Sequence, residues 1–254
     1  MITLDHAYII GGFFFAALAL LSALDRENAR RLRNAAFYAL LAVSFWAGHL
    51  IGDLGNGLLA LGLVIIAVMG LGQGKPATTS QAERRASAEQ RGNALFLPAL
   101  IIPAVALAGT LLVQYTDWGP AFIASKDKTL VSLVLGVLIA IDVLMVWLRP
   151  PLLAPLEEGR RLMDSVGWAA LLPQMLAALG AVFLAAGVGE QVGAIFTQYV
   201  PLDTRTMAVA AYCIGMALFT IIMGNAFAAF PVMTAAVGLP FVVLELGGDP
   251  ARVC

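Results

Sequence analysis

At 254 residues, with 61% hydrophobic and only 12% charged residues and a mean hydropathy of +0.89, the chain carries more apolar surface than a soluble core can hide, so lipid is its solvent. The formal net charge of −1, with no basic stripe to track a phosphate backbone, excludes a nucleic-acid-binding protein. Of the two cysteines, Cys213 lies in an apolar run and Cys254 is the last residue, which makes neither a disulfide framework nor a metal site.

Crossing a hydrocarbon layer of about 30 Å at about 1.5 Å per residue takes roughly 20 apolar residues. No Lys or Arg precedes the first run, so the N-terminus lacks the basic region of a secretory signal and the run is read as a helix of the mature chain. Runs at 7–24, 35–51, 54–71, 95–113, 130–148, 166–188 and 207–223 meet the length within its usual scatter. After an interruption from Gly224 to Pro231, a shorter piece at 232–246 contains Pro240 and reads as a half-helix or re-entrant element. The expected fold is an all-α integral membrane protein, a single polytopic domain over 1–254 with about seven to eight transmembrane helices, broken or re-entrant around Pro173 and Pro231.

Loop charges set the orientation. Arg26, Arg30, Arg31 and Arg33 follow the first span; Lys75, Arg84, Arg85 and Arg91 follow the third; Arg149, Arg160 and Arg161 follow the fifth. The opposite side holds only Lys126, Lys128 and Arg205. Cytoplasmic loops retain such cations, so the N-terminus is predicted outside. Residues 72–94 read as a solvated cytoplasmic connector with helical composition from 82 to 91, and no chemistry is assigned to it.

An internal echo marks the candidate site. Pro173-Gln-Met175-Leu-Ala177-Ala178-Leu-Gly180 and Pro231-Val-Met233-Thr-Ala235-Ala236-Val-Gly238 share the pattern P-x-M-x-A-A-x-G, with Gly167 and Gly224 upstream. Proline removes a backbone donor and crowds the carbonyl four residues earlier, leaving unpaired carbonyls at membrane depth. In secondary transporters, half-helix N-termini at such breaks face an anionic group and freed carbonyls face a cation. The other reading is that an Ala-, Gly- and Leu-rich sequence repeats the pattern by chance and each Pro merely kinks a packed helix.

Asn225 is the first candidate ligand, able to donate to a carboxylate and accept from an amide, or alternatively to cross-link two helices. Gln174 has the same duality, and Thr234 offers a hydroxyl or bonds back to its own helix. Asp142 is the carboxylate well inside a span and a candidate for proton or sodium coupling, unless a vestibule or the interface accounts for it. His49 and Asp53 would share a helical face if the helix persists through Gly52. Trp46, Trp118, Trp147 and Trp168 fit an interfacial belt. The stretch from Pro150 to Asp164 is either an amphipathic surface segment or a plain loop. No phosphate loop, H-E-x-x-H pair or G-x-S-x-G elbow is present, which argues against an ATP-driven domain or a protease.

Two blocks, Arg160-Arg-Leu-Met-Asp-Ser-Val-Gly-Trp-Ala-Ala-Leu-Leu-Pro-Gln-Met-Leu-Ala-Ala-Leu-Gly180 and Tyr212-Cys-Ile-Gly-Met-Ala-Leu-Phe-Thr-Ile-Ile-Met-Gly-Asn-Ala-Phe-Ala-Ala-Phe-Pro-Val-Met-Thr-Ala235, resemble signatures of the bacterial membrane family called domain of unknown function 979. Weaker similarity covers nearly the whole chain, including Arg91-Gly-Asn-Ala-Leu-Phe-Leu-Pro98. The resemblance implies a multi-pass permease subunit of the cytoplasmic membrane that takes up 5-oxoproline, has no cofactor, and works beside a companion subunit of the domain of unknown function 969 type. It raises Gly224, Asn225 and Pro231 as site residues and lends no weight to Asp142. It also implies a longer C-terminal region than this chain carries. A scaffold that stabilises a companion permease without transporting is the other expectation, and an enzyme is not expected.

Overall fold

The computed structural model describes residues 1–74, 79–116, 119–200, 202, 204–224 and 226–249. All named elements among them are helical, and the β-type pairing is an isolated bridge between Ile2 and Ile123. The chain divides into two compact units, residues 1–168 and 169–254.

In the first unit, α1 (Leu4–Leu24) and α2 (Arg31–Ala47) form the most extensive pair. Adjacent glycines on α1 admit aromatic rings from α2: a Cβ on Gly11 would stand 2.8 Å from the Phe45 ring, and one on Gly12 would run into the Trp46 indole. The Trp46 indole N–H donates to the Ile9 carbonyl at 3.1 Å, so this residue ties two helices together. α3 (Gly52–Val68) packs on α2. Gly52, at φ +64°, ends the preceding turn; the expected helix does not persist from His49 to Asp53, and the two are not on one helical face.

α4 (Gln81–Arg91) is a solvated polar helix opened by a capping box. The Ser80 backbone N–H and hydroxyl donate to Glu83 Oε2 at 2.7 and 2.9 Å, and the Glu83 N–H donates back to Ser80 Oγ at 3.3 Å. These donors hold the Glu83 carboxyl below its ordinary range. A depressed carboxyl contributes stability above its unfolded pKa and loses it as pH falls through the folded one. The protection of the α4 amides, measured as exchange relative to an unstructured peptide at the same pH, is therefore expected to fall on acidification below the usual carboxylate range in the native chain. The protection should already be low, and flat with pH there, in Ser80→Ala. A pH response that survives Ser80→Ala would remove the box as its cause.

α5 (Leu97–Tyr115) pairs with α7 (Lys128–Leu148), with the short α6 (Gly119–Phe122) between them. Gly136 lets the α7 backbone close on α5, since a Cβ there would sit 2.9 Å from the Ile102 carbonyl oxygen. The stretch left open as surface segment or loop is helical: α8 (Ala154–Val166) packs on α1, with Gly159 against the Phe14 ring.

Two membrane helices are entered in the same way. Gly92 (φ 51°, ψ −135°) ends α4 and Gly167 (φ 58°, ψ −134°) ends α8. Each begins a five-residue 3₁₀ turn, Gly92–Phe96 and Gly167–Leu171, and each turn leads into a helix with Pro in its first turn. The shared sequence is G-x-A-x-x-L-P, at 92–98 and 167–173. This backbone conformation is open essentially to glycine alone.

In the second unit the expected single span over 166–188 is divided. α9 (Leu172–Ala185) has 14 residues, and its last part makes a 67° bend with α10 (Val188–Tyr199) across Gly187, at φ 68°. α11 (Arg205–Met223) ends at Gly224, φ 74°, and α12 (Ala226–Met233) runs into a π-helical stretch, Thr234–Glu245. The core gathers Leu202, Ala211, Met233, Ala236 and Val237, with Phe196, Tyr212 and Phe241 at its edge. Among the described residues, four helices, α1, α5, α7 and α11, are long and apolar enough to cross a membrane, and the bent pair makes a fifth if it is one span.

Candidate functional site

The echoed motif falls on two helices that pack together. α9 begins with the first copy, the second starts within α12, and α9 and α12 are neighbours in the second unit. The copies differ in kind. Pro173 sits in the first turn of α9, where a missing N–H costs nothing, so it opens a helix instead of breaking one; the break expected there lies upstream, at Gly167. Pro231 is inside α12 and removes the N–H that the carbonyl four residues earlier would accept. Met233 is fully buried, whereas Met175 is 41% exposed, so the copies do not do equivalent packing work.

Below Pro231 the helix widens to i→i+5 pairing, and Pro240 withholds the N–H due to the Ala235 carbonyl in that register. α10 lies against this run through Gly189 and Gly193. A Cβ at Gly193 would stand 2.9 Å from the Ala236 carbonyl oxygen, and one at Gly189 would stand 2.7 Å from the Ala235 Cβ. Thr234 is engaged where the run begins: its hydroxyl lies 3.2 Å from the Tyr212 hydroxyl of α11. Thr234 was legible as a candidate; Tyr212 was not singled out, although it opens the second signature block. Asn225 lies outside the described residues, as do the side chains of Pro173 and Gln174. Gly224 ends α11 in the left-handed conformation.

A second polar assembly, unforeseen in the sequence, fills one end of the first unit. Arg160 and Asp164 on α8 are 3% and 7% exposed. Arg160 Nη1 donates to the Leu21 carbonyl at 2.9 Å and to Asp25 Oδ2 at 3.2 Å. Its Nη2 lies 3.1 Å from Glu157 Oε2, an ion-pair distance without hydrogen-bond alignment, and its Nε has no hydrogen-bond partner among the described residues. Asp164 Oδ1 accepts from the Tyr38 hydroxyl at 2.6 Å and Asn34 Nδ2 at 3.0 Å, and Oδ2 accepts from the Gly74 N–H at 3.2 Å.

Asn34 also pairs both ways with one peptide group pair of Gly72: Nδ2 donates to its carbonyl at 2.6 Å and Oδ1 accepts from its N–H at 2.8 Å. Arg33 donates to the Met69 carbonyl, and Arg30 Nη1 donates to that of Leu71 at 3.3 Å. The segment 69–74 is thus a strap laid into a polar cradle. Its glycines at 70, 72 and 74 face Arg30, Asn28 and the Asp25–Asp164 pair so closely that a Cβ would collide at each. The solvated connector expected from residue 72 begins instead with a seated strap. Chemically the cradle is a latch: most of its donors and acceptors are already taken by the chain's own peptide groups or by one another.

Asp142 belongs to neither assembly. It lies exposed on α7, and its side chain has no hydrogen bond or ion pair among the described residues. A carboxylate within an apolar helix is costly where it meets hydrocarbon.

The family model described as Protein of unknown function (DUF979) matches residues 5–254. No curated protein and no solved structure matches the chain.

Proposed function

The chain belongs to the DUF979 family, and from that premise we propose that it is one subunit of a secondary permease for a small carboxylate, 5-oxoproline before others. The observation that carries this reading is the succession of breaks in the second unit: the bend at Gly187, the left-handed Gly224, Pro231 inside α12 and the π-helical run after it. Irregular backbone is tolerated at membrane depth where it is buried in protein or lines a cavity, and carriers use it to hold substrate and coupling ion. In this reading Gly224, Asn225 and Thr234 face the carboxylate, with Pro173 and Gln174 on the neighbouring helix. Carbonyls released by Pro231 and Pro240 hold a proton or sodium ion.

The topology that goes with it has seven spans and a short eighth element in the cytoplasmic membrane of a bacterium, with the N-terminus outside. The chain is a carrier and not an enzyme, and a companion membrane subunit completes it. The other reading, a scaffold without a substrate, draws on the glycine faces of α1, α7 and α10, which serve close helix packing.

Uptake of labelled 5-oxoproline is the test, in cells lacking their own carrier and expressing the chain with and without the second subunit. Uptake that needs both is expected, reduced about tenfold by Asn225→Ala or Thr234→Val, the effect of one hydrogen bond to a charged group at about 1.5 kcal/mol. Normal uptake by both variants would sink the site. If 5-oxoproline also fails to raise the thermal stability of the purified chain, the scaffold reading replaces the carrier.

A further inference from the structure

α7 has two faces of different character. Val131, Ser132, Gly136 and Ala140 are buried, and the Gly136 position closes on the α5 backbone. Ile139, Val143 and Val146 are 42%, 40% and 77% exposed, and Asp142 is exposed among them. The helix has 21 residues, so it is about 31 Å long, and Asp142 lies about 9 Å inside its Leu148 end. Its apolar neighbours would suit lipid or another helix equally. The carboxylate suits only the helix, because lipid offers it no partner.

We propose that this face of α7 is the docking surface for a transmembrane helix of a different protein, one that carries a single Lys or Arg at the depth of Asp142. A second copy of this chain does not supply the charge. Among the described residues, Lys and Arg occur in the apolar helices α1, α2, α3, α5, α7 and α9 to α12 only within the first three positions, as Arg31, Arg33, Lys128 and Arg205. Of these, Lys128 is at the far end of α7 itself, and Arg33 is already bound to the Met69 carbonyl. About a two-fold axis, moreover, Asp142 would meet its own copy. Ile139, Val143 and Val146 are β-branched and lose little rotamer freedom on packing, which suits a helix-docking face. The inference goes beyond the permease reading and holds whether or not the chain carries a substrate.

The probes are synthetic transmembrane helices of about 20 Leu and Ala residues, one with Lys seven positions from one end, one with Leu there, and one with Glu there. Energy transfer from the labelled full-length chain to each peptide in phosphatidylcholine vesicles reads the association. The Lys peptide is expected to bind the native chain about tenfold more tightly than the Leu peptide. Asp142→Asn should abolish the preference, and Asp142→Lys should transfer it to the Glu peptide. Equal binding of the Lys and Leu peptides to the native chain overturns the proposal without any variant, and so does a Lys preference that survives Asp142→Asn. Energy transfer between copies of the chain that is lost in Asp142→Asn assigns the face to a second copy and overturns it as well.

Discussion

Arg160→Ala is expected to destabilise the first unit by about 3–5 kcal/mol, the usual cost of breaking a buried ion pair by removing one partner. The guanidinium is the cation that meets Asp25 and Glu157, whose side chains are 8% and 12% exposed, and its loss leaves both carboxylates buried with less compensation. It also removes one of the two donors to the Leu21 carbonyl near the end of α1, leaving the Asp25 N–H. Arg160→Lys should recover part of the loss, because it keeps the charge but cannot fork between Asp25 and Glu157. Arg161→Ala is the control: its partner Glu158 is 34% exposed, and such pairs contribute at most about 1 kcal/mol. Denaturant titration of the purified chain in micelles, followed by tryptophan fluorescence, reads all three. Equal midpoints for the two alanine variants would show that the cradle carries no net stability.

The second large effect lies in the other unit. Gly193→Val places a branched side chain where the Cβ alone would approach the Ala236 carbonyl oxygen to 2.9 Å. That atom is backbone in the π-helical run and cannot rotate away, so α10 must separate from it. Overpacking of this kind costs about 1–3 kcal/mol, with further loss as the core around Met233 and Val237 is opened. Gly57→Ala on α3 is the counter-case: its Cβ meets nothing within 4 Å, and better helix propensity should stabilise by up to about 1 kcal/mol. Hydrogen exchange over residues 205–245 is expected to rise in Gly193→Val and stay unchanged in Gly57→Ala. Exchange unaffected by Gly193→Val would mean that the α10 contact is not part of the folded core.

Much of the helical layout was legible because lipid demands what hydropathy measures. α1, α5, α7 and α11 fall within three residues of the apolar runs at either end, since a helix surrounded by hydrocarbon is apolar on every side. Breaks inside such runs are harder to see. Glycine both packs helices and ends them, so Gly167 and Gly187 look in sequence like Gly136 or Gly193, which do only the former. Pro173 was taken for a break because a proline inside an apolar run normally is one; five residues of 3₁₀ turn before it make its position N-terminal.

The cradle escaped for another reason. Arg160 and Asp164 sit in a segment with exposed Leu152 and Leu162, 88% and 54% accessible, and looked like the polar face of a surface helix. In a membrane protein the sides are exchanged, with leucines outward and charges inward. Signals that could have found it are present: Glu157, Arg160 and Asp164 recur at helical spacing on one face, and glycine alternates at 70, 72 and 74. The partners of Arg160 and Asp164 on other elements are 90 to 139 residues away, a distance no local pattern reports. Of the expected site, Thr234 was named from the echo, which left open whether its two copies meet; the packing of α9 on α12 and the hydroxyl of Tyr212 needed coordinates.

The cradle also sets an order of assembly during synthesis. Its acid Asp25 and the Leu21 carbonyl leave the ribosome early, but the guanidinium that meets them comes 135 and 139 residues later. At about 5–20 residues per second that is a wait on the order of ten seconds, during which α1 and α2 are made but the contacts of Arg160 and Asp164, including the one to the Gly74 N–H, are still missing. The N-terminal hairpin is therefore a dependent part of the nascent chain, and a stall anywhere before α8 leaves it without the Arg160 ion pair.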